Sequence, residues 1–366
     1  MELFIDRVDK AVTFGIDLYS FEVKPDQIFH GFKNIPRHPH IHVVHFQHCN
    51  DGVRYGYFFE SDSAKSVQFE YDAAREIFVP RTIETEQQKT DAYNKFRELN
   101  PFMVPYPSID EEDTWKVLTD HIKMLDVRHI ASCSEPYVYM DSAITTKEEE
   151  GILSRALASN GDRIADTTRS GDPVLKYTPI VFKSKDALRD NFKMHDFFDK
   201  SYYLNDVVLA RYHHNSIFSL LGELQCAFLN AMLFGNYGSS LQWHNVVELI
   251  AMSSAVSSKA LLQLDALLAR QLAVVPDFYA DMLLNEDAWV RILTSLHHKH
   301  ALDRTRGAVY KLWPHLDDPD DNDNGGESGI SHVLVDDDDN VLHNMGDSDP
   351  DSDEPMVVEK VIYRQL

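Results

Sequence analysis

From Val12 to Pro80 the apolar residues come in short runs: VTFGIDLYSFEV, HIHVVHF, VRYGYFFE, SVQFEYD and EIFVP. They are rich in Val, Ile, Phe and Tyr. Gly, Pro, Asn and Asp separate them, as in FHGFKNIPRHP and HCNDGVR, and this predicts strands joined by turns. Tyr55, Tyr57 and Phe59 share one face of the third run at period two. A helix is predicted from about Thr85 to Leu99. A second carries Trp115, Leu118, Ile122 and Leu125 on one face, with Asp110 to Asp113 ahead of it as caps and dipole partners. YVYMDS, from Tyr137, returns to strand character.

The periodicity then changes. ILSRAL reads as a short helix, and NGDRIADTTRSGDP as an exposed linker without periodicity. After an extended KYTPIVF the pattern is helical. Leu220, Leu221, Leu224, Phe228, Ala231 and Met232 follow one helical repeat, which Gly235 ends as a left-handed C-cap. Ser239 or Ser240 is expected to cap the next helix, with Trp243, Val246, Val247 and Ile250. LLQLDALLARQL is a third, ended by Pro276. Trp289, Ile292, Leu293 and Leu296 mark a fourth, and Val309, Leu312 and Trp313 a fifth. Short connections imply a bundle or compact helical array. No repeat of fixed period emerges. The reading is an α+β protein: a β-rich domain over 1–146, a short helix and linker over 147–175, a helical domain over 176–316, and a tail over 317–366.

Charge sharpens that division. The formal net charge of the 366 residues is −24, yet 317–354 hold fifteen acidic residues and no Lys or Arg. Residues 1–316 carry 33 basic and 43 acidic groups. The tail is a polyanion, expected to be disordered when alone. Direct binding to nucleic acid would set it against a phosphate backbone that attracts cations. Cys49, Cys133 and Cys226 are odd in number and widely spaced, which fits a reducing, intracellular compartment. No apolar run looks long enough for a membrane span, and the N-terminus MELFIDRVDK reads as neither signal nor transit peptide.

Candidate chemistry is sparse. RHPHIHVVHFQHC places His40 and His42 at the spacing of a His-x-His metal pair, with His38, His45 and His48 nearby. No obvious carboxylate completes the set, so hydrogen-bonded structural histidines are preferred over a metal site. Asp110 to Asp113 cluster carboxylates, but a helix cap is the favoured role. Cys49 beside His48 would face the opposite side of a strand. Cys226 is expected to be a core thiol. No nucleophile elbow, phosphate loop or dinucleotide fingerprint occurs. No catalytic residue or cofactor is assigned.

Two features point to binding instead. GELQCAFLNAMLFGNYGSSLQWHNVVELI is apolar over most of its circumference, so it is buried in a bundle or in a partner. Tyr237 and Trp243 are the residues there that would serve as exposed contacts. The tail ends in MVVEKVIYRQL, where Met356, Val358 and Ile362 alternate with Val357, Val361 and Tyr363. Such a peptide pairs either within its own chain or with a partner's sheet edge, and both remain open.

GIDLYSFEV, FHGFKNIP, HVVHFQH, RYGYFF, YPSIDEEDTW, DKSYYLN and above all the 29-residue helical string resemble the fungal cistron-splicing factor family. The likeness runs in order from about residue 12 to 300. It implies a non-enzymatic assembly chaperone of the U5 small nuclear ribonucleoprotein, in the cytoplasm and nucleus. The fold implied is a β-rich domain, a helical domain resembling the VHS fold, and an extended tail. The partner implied is the large U5 scaffold protein, held by its RNase H-like and Jab/MPN-like domains while the spliceosomal RNA helicase and RNA are kept away. With that resemblance, pairing of Met356 to Tyr363 with the partner becomes the favoured reading. The resemblance also implies release by phosphorylation in the helical domain. Ser253 and Ser254 are the candidates there, because a phosphate at a helix C-terminus opposes the dipole. No direct nucleic-acid or membrane contact is expected. A metal-dependent hydrolase using His40 and His42, or a VHS-type trafficking adaptor, are the alternatives from other classes.

Overall fold

The computed structural model describes residues 1–317 except 7–9, 49–51, 62–65, 82–84, 108–112, 160–172, 277–282, 296 and 299–300. Two five-stranded sheets come first. One has the order β8-β7-β1-β4-β9, built from Ile77–Arg81, Ser66–Asp72, Glu2–Ile5, Gly31–Lys33 and Val104–Pro105. The other has the order β10-β6-β5-β2-β3, from Val138–Asp141, Tyr55–Glu60, Ile41–Gln47, Val12–Ile16 and Tyr19–Val23. Strand alternation decides which side chain enters which layer. Val44, Phe46, Tyr55, Tyr57 and Phe59 point between the two sheets, against Leu3, Phe69 and Phe78. Ile41, Val43, Phe58, Val138 and Met140 point the other way, into the helices.

The sheets are joined by hydrogen bonds as well as apolar contact. The Tyr57 hydroxyl donates to the Phe78 carbonyl at 2.8 Å, and the Phe78 amide donates to the Tyr55 hydroxyl at 2.8 Å. Phe78 lies on edge strand β8, and Pro80, two residues on, has no amide to offer. That edge is therefore capped against a further strand.

The helices are α1 (Glu86–Leu99), α2 (Thr114–Thr119), α3 (Met124–Ile130), α4 (Lys147–Ser159), α5 (Lys193–Phe198), α6 (Ile217–Phe234), α7 (Tyr237–Ala251), α8 (Ser258–Val274), α9 (Glu286–Thr294) and α10 (Asp303–Leu312). A π-helical turn, Tyr203–Leu209, precedes α6. The predicted α1 is present and closed by a capping box between Thr85 and Gln88. The predicted helix over 115–125 is instead two, α2 and α3, and Leu125 is 73% exposed rather than on the buried face. Asp113 stands before α2 in left-handed backbone and its side chain caps nothing; Asp110 to Glu112 lie outside the described residues. Gly235 ends α6 at φ 68°, as expected. The cap of α7 is Asn236, whose side chain accepts from the Ser239 amide at 2.9 Å, not Ser239 or Ser240. Asn wins because its carbonyl also receives the Ser239 hydroxyl, while its amide bonds the Asp141 and Ile144 carbonyls.

The short helix expected at ILSRAL is the longer α4, and β11 (Thr145–Thr146) pairs in parallel with β12 (Val174–Leu175) across the linker. The helical half has no core of its own. One cluster joins the outer face of β5 and β6, α2 and α3 to α6, α7, α8 and α9. Gly222 of α6 lets the helix approach the α2–α3 connection, since a Cβ there would lie 2.4 Å from the His121 carbonyl oxygen. By length and composition Ile217–Phe234 could cross a membrane, contrary to the sequence expectation, but 83% of it is buried inside the protein. It is the central helix of the core.

Candidate partner-binding surfaces

The His-rich strand does not make a metal pair. His40 is exposed and precedes β5, whereas His42 is fully buried within it. His42 Nδ1 meets Asp17 Oδ2 at 2.6 Å and Nε2 meets the Pro36 carbonyl at 3.0 Å. Both partners are acceptors, so both ring nitrogens donate and neither has a lone pair for a metal. Burial pulls the His42 pKa down, but the Asp17 charge and hydrogen bond outweigh it and raise it. Asp17 also accepts from Tyr106 and from the Val43 amide, so the group is a buried cross-link. His45 folds over Gly15, where a Cβ would lie 1.9 Å from its ring, and reaches the Asp17 carbonyl at 3.1 Å. Among the described residues no group of three or more His, Cys, Asp or Glu could hold a metal. Cys49 lies outside them.

The helical string is held from inside. Glu223 on α6 accepts from the Thr178 amide at 2.9 Å, the Thr178 hydroxyl at 2.8 Å and Gln242 Nε2 of α7 at 2.7 Å. Burial still pushes its carboxyl pKa up, since these donors compensate only part of the lost hydration. Gln225 binds the His121 amide, the Val117 carbonyl and Asp120, tying α6 to the first half of the chain. Trp243 is only 1% exposed, so it is not a surface contact. Its ring packs on Phe228 and Trp289, and its indole N–H donates to Gln271 at 2.9 Å. The aromatic content that suggested a hot spot is core content: Trp243 faces inward and Tyr237, at the start of α7, faces out at 57% exposure. Tyr237 alone of the two is available to a partner.

The two candidate serines are also placed differently. Ser253 is fully buried, and its hydroxyl donates back to the Leu249 carbonyl at 2.7 Å. Ser254 is exposed; its amide and hydroxyl both donate to the Asp199 carboxylate, the amide at 3.1 Å. Ser201 donates to the same carboxylate from its amide at 2.9 Å. Burial pushes the Asp199 pKa up, but the donors from Ser201 and Ser254 together hold it below the usual carboxylate range. This clasp joins the end of α5 to the end of α7. Met356 to Tyr363 lie outside the described residues.

Two further surfaces had no clear signal in the sequence. An open groove of about 730 Å3 runs between β8 and the 133–137 loop, floored by Tyr57, Tyr137 and Tyr139. On α5 Met194, Phe197 and Phe198 are exposed, and Phe192, just before the helix, is about half exposed beside Arg189. NFKMHDFFDK lacks a helical stripe, and its four large apolar residues beside basic groups were the available sign of exposure.

Comparison with known proteins places this architecture. Residues 2–133 match the model of the AAR2 N-terminal domain, and residues 192–318 that of the AAR2 C-terminal repeat region. The A1 cistron-splicing factor AAR2 of Saccharomyces cerevisiae is 42% identical over 90% of this chain and 92% of its own length. The human protein AAR2 homolog is 26% identical over 77% of this chain and 78% of its own, and the mouse homolog 24% over the same shares.

Proposed function

The chain belongs to the AAR2 family of splicing factors and has a role in splicing, and we propose that this role is that of a non-enzymatic assembly chaperone of the U5 small nuclear ribonucleoprotein. The observation that carries the reading is the match through both halves of the chain to a protein named for splicing, 42% identical over 332 residues. Its polar core groups support it: Glu223, Gln225, Asn236 and His42 are spent on internal hydrogen bonds. In this reading the chain holds the RNase H-like and Jab/MPN-like domains of the large U5 scaffold protein. It excludes the RNA helicase and RNA until maturation, in the cytoplasm and nucleus. Met356, Val357, Val358, Val361, Ile362 and Tyr363 add a strand to the scaffold, and Tyr237 supplies an exposed contact. The acidic stretch before that peptide occupies basic surface that RNA would otherwise use.

Release acts through the end of α7. Ser254 is the accessible hydroxyl, and a phosphate there would stand against the Asp199 carboxylate that it now bonds. Ser253 needs α7 to open before a kinase reaches it. The test is affinity purification of the tagged chain from its own cells. Recovery of the scaffold protein without the helicase is expected; recovery of neither, or of both together, refutes the chaperone reading. Deleting 355–366 should weaken scaffold binding, and unchanged affinity removes the strand from the account.

A further inference from the structure

We propose that, in the partner-free chain, the C-terminal peptide Met356–Tyr363 lies on the exposed aromatic face of α5. This goes beyond the chaperone role and holds whether or not the same peptide later adds to a partner's sheet.

Exposed apolar side chains are concentrated around α5 and rigidly presented. Among the described residues fifteen large hydrophobic side chains are exposed, and six of them fall between Val181 and Tyr212. Met194 is 72% and Phe198 61% exposed, with the Phe197 ring set edge-on to Phe198 at 5.2 Å. The inner side of α5 is locked. Asp196 takes two guanidinium bonds from Arg189, at 2.9 and 2.7 Å, and Arg189 lies over the Phe192 and Tyr202 rings. Lys200 lies over Phe197 and bonds the Asp196 carbonyl. Little ordering is left to be done when something docks, which favours binding. An apolar face this concentrated marks an interaction site.

Three observations select the occupant. The first is distance. His315, two residues before Asp317, meets Glu286 at the start of α9 at 2.6 Å. His297, just past the end of α9, meets the Phe198 carbonyl at 3.0 Å. One short helix therefore separates the exit of the tail from the face, roughly 15–20 Å at ~1.5 Å per residue. The spacer from Asp317 to Met356 is about 40 residues and reaches several times that far at ~3.3 Å per residue. The second is charge. Residues 176–200 carry six basic and four acidic groups on an otherwise acidic body, with Lys183, Lys185 and Lys193 exposed. Residues 336–354, which lead into the peptide, carry nine acidic groups and no basic one. The third is chemistry. At period two Met356, Val358 and Ile362 share a face with Lys360, so three apolar side chains that suit rings rather than water flank one cation, and tethering makes a weak contact effective.

The test uses the full chain, alone, with a benzophenone side chain installed at Val361. Irradiation should give crosslinks within one chain to residues 192–202. The double variant Met194→Glu, Phe198→Glu changes only exposed positions and should keep the circular dichroism of the parent while lowering that yield by about tenfold. Deleting 355–366 should also speed amide exchange over 192–202. Crosslinks to another segment, a covalent dimer in place of the internal product, no crosslink, or a yield unchanged in the double variant each overturn the proposal. Exchange unaffected by the deletion does the same and leaves the face to a partner protein. None of these readouts involves the U5 scaffold, so failure here is distinct from failure of the chaperone reading.

Discussion

Lowering the pH from 7 to 5 should cost this protein much of its stability, and His244 should account for a definable share. His244 Nδ1 donates to the Ser240 carbonyl at 2.8 Å, while Nε2 accepts from the Asn285 amide at 3.2 Å. A second proton would have to sit on Nε2, facing an N–H. Burial is the larger cause, and the His244 pKa is pushed down to about 4. The unfolded chain binds a proton below about 6.5, and the folded chain does not until about 4. Between those values the unfolded state holds more protons, so stability falls as pH falls. At pH 5 the loss is about 2 kcal/mol for this residue. His45 and His213 are also pushed to about 4 by burial. The three together reach about 6 kcal/mol, comparable with the ~5–15 kcal/mol of a whole fold. His42 works the other way: its raised pKa supplies stability below the unfolded value that is lost as pH rises through the folded one. The assay is urea unfolding of the parent and of His244→Gln at pH 7 and pH 5. Gln keeps an acceptor for the Asn285 amide and does not titrate. The drop between the two pH values should be smaller by about 2 kcal/mol in the variant. An equal drop in both proteins would refute the argument.

Other expectations are as direct. Trp243→Ala should cost about 3–5 kcal/mol in chemical unfolding, whereas Tyr237→Ala should stay within about 0.5 kcal/mol and instead weaken scaffold capture. Gly222→Ala places a Cβ 2.4 Å from the His121 carbonyl oxygen and should destabilise by about 1–3 kcal/mol, read as a lower melting temperature. Gly15→Ala should drive the His45 ring off the Asp17 carbonyl; an NMR titration of His45 that still ends near 4 would contradict this. Ser254→Asp should loosen the clasp to Asp199 and reduce scaffold binding, and adding Asp199→Asn should restore part of it.

The strands, the helices and the left-handed stop at Gly235 were legible because each depends on local spacing. What was not legible depends on which neighbour arrives. Trp243 and Tyr237 belong to one apolar string, and only the arrival of Trp289 and Gln271 decides which of them is buried. The helix over 115–125 breaks at 120–123, where Gln225, more than a hundred residues away, takes the His121 amide. Ser239 looked like the cap of α7, but Asn236 reaches the Asp141 and Ile144 carbonyls as well and takes that role. His40 and His42 have the spacing of a ligand pair, yet Asp17 sits on a two-residue turn from a different hairpin and claims His42. The face of α5 carries no stripe, because the residues that would have made one point to solvent.

The polar bonds between the two halves bear on the proposed role. Apolar contact between sheet and helices is non-directional and tolerates sliding. The bonds across that contact do not. Gln225 spans Val117 to His121, and Asn236 spans Asp141 to Ile144. The Gln225 and Asn236 side chains are buried, so a shift of about an ångström leaves their polar atoms without partners at roughly 1–3 kcal/mol apiece. One docking of the two halves is therefore selected over its neighbours. A chaperone that holds two domains of one partner needs that property. If the proposed contacts at Tyr237 and the tail peptide are joined by others on the first half, a hinge between the halves would let the partner's domains separate. In this chain resistance to hinging is expected from side chains such as Gln225, whose hydrogen bonds are all internal. A chaperone defect from Gln225→Leu at a retained melting temperature would isolate that contribution; full activity in such a variant would show that the apolar contact alone is rigid enough.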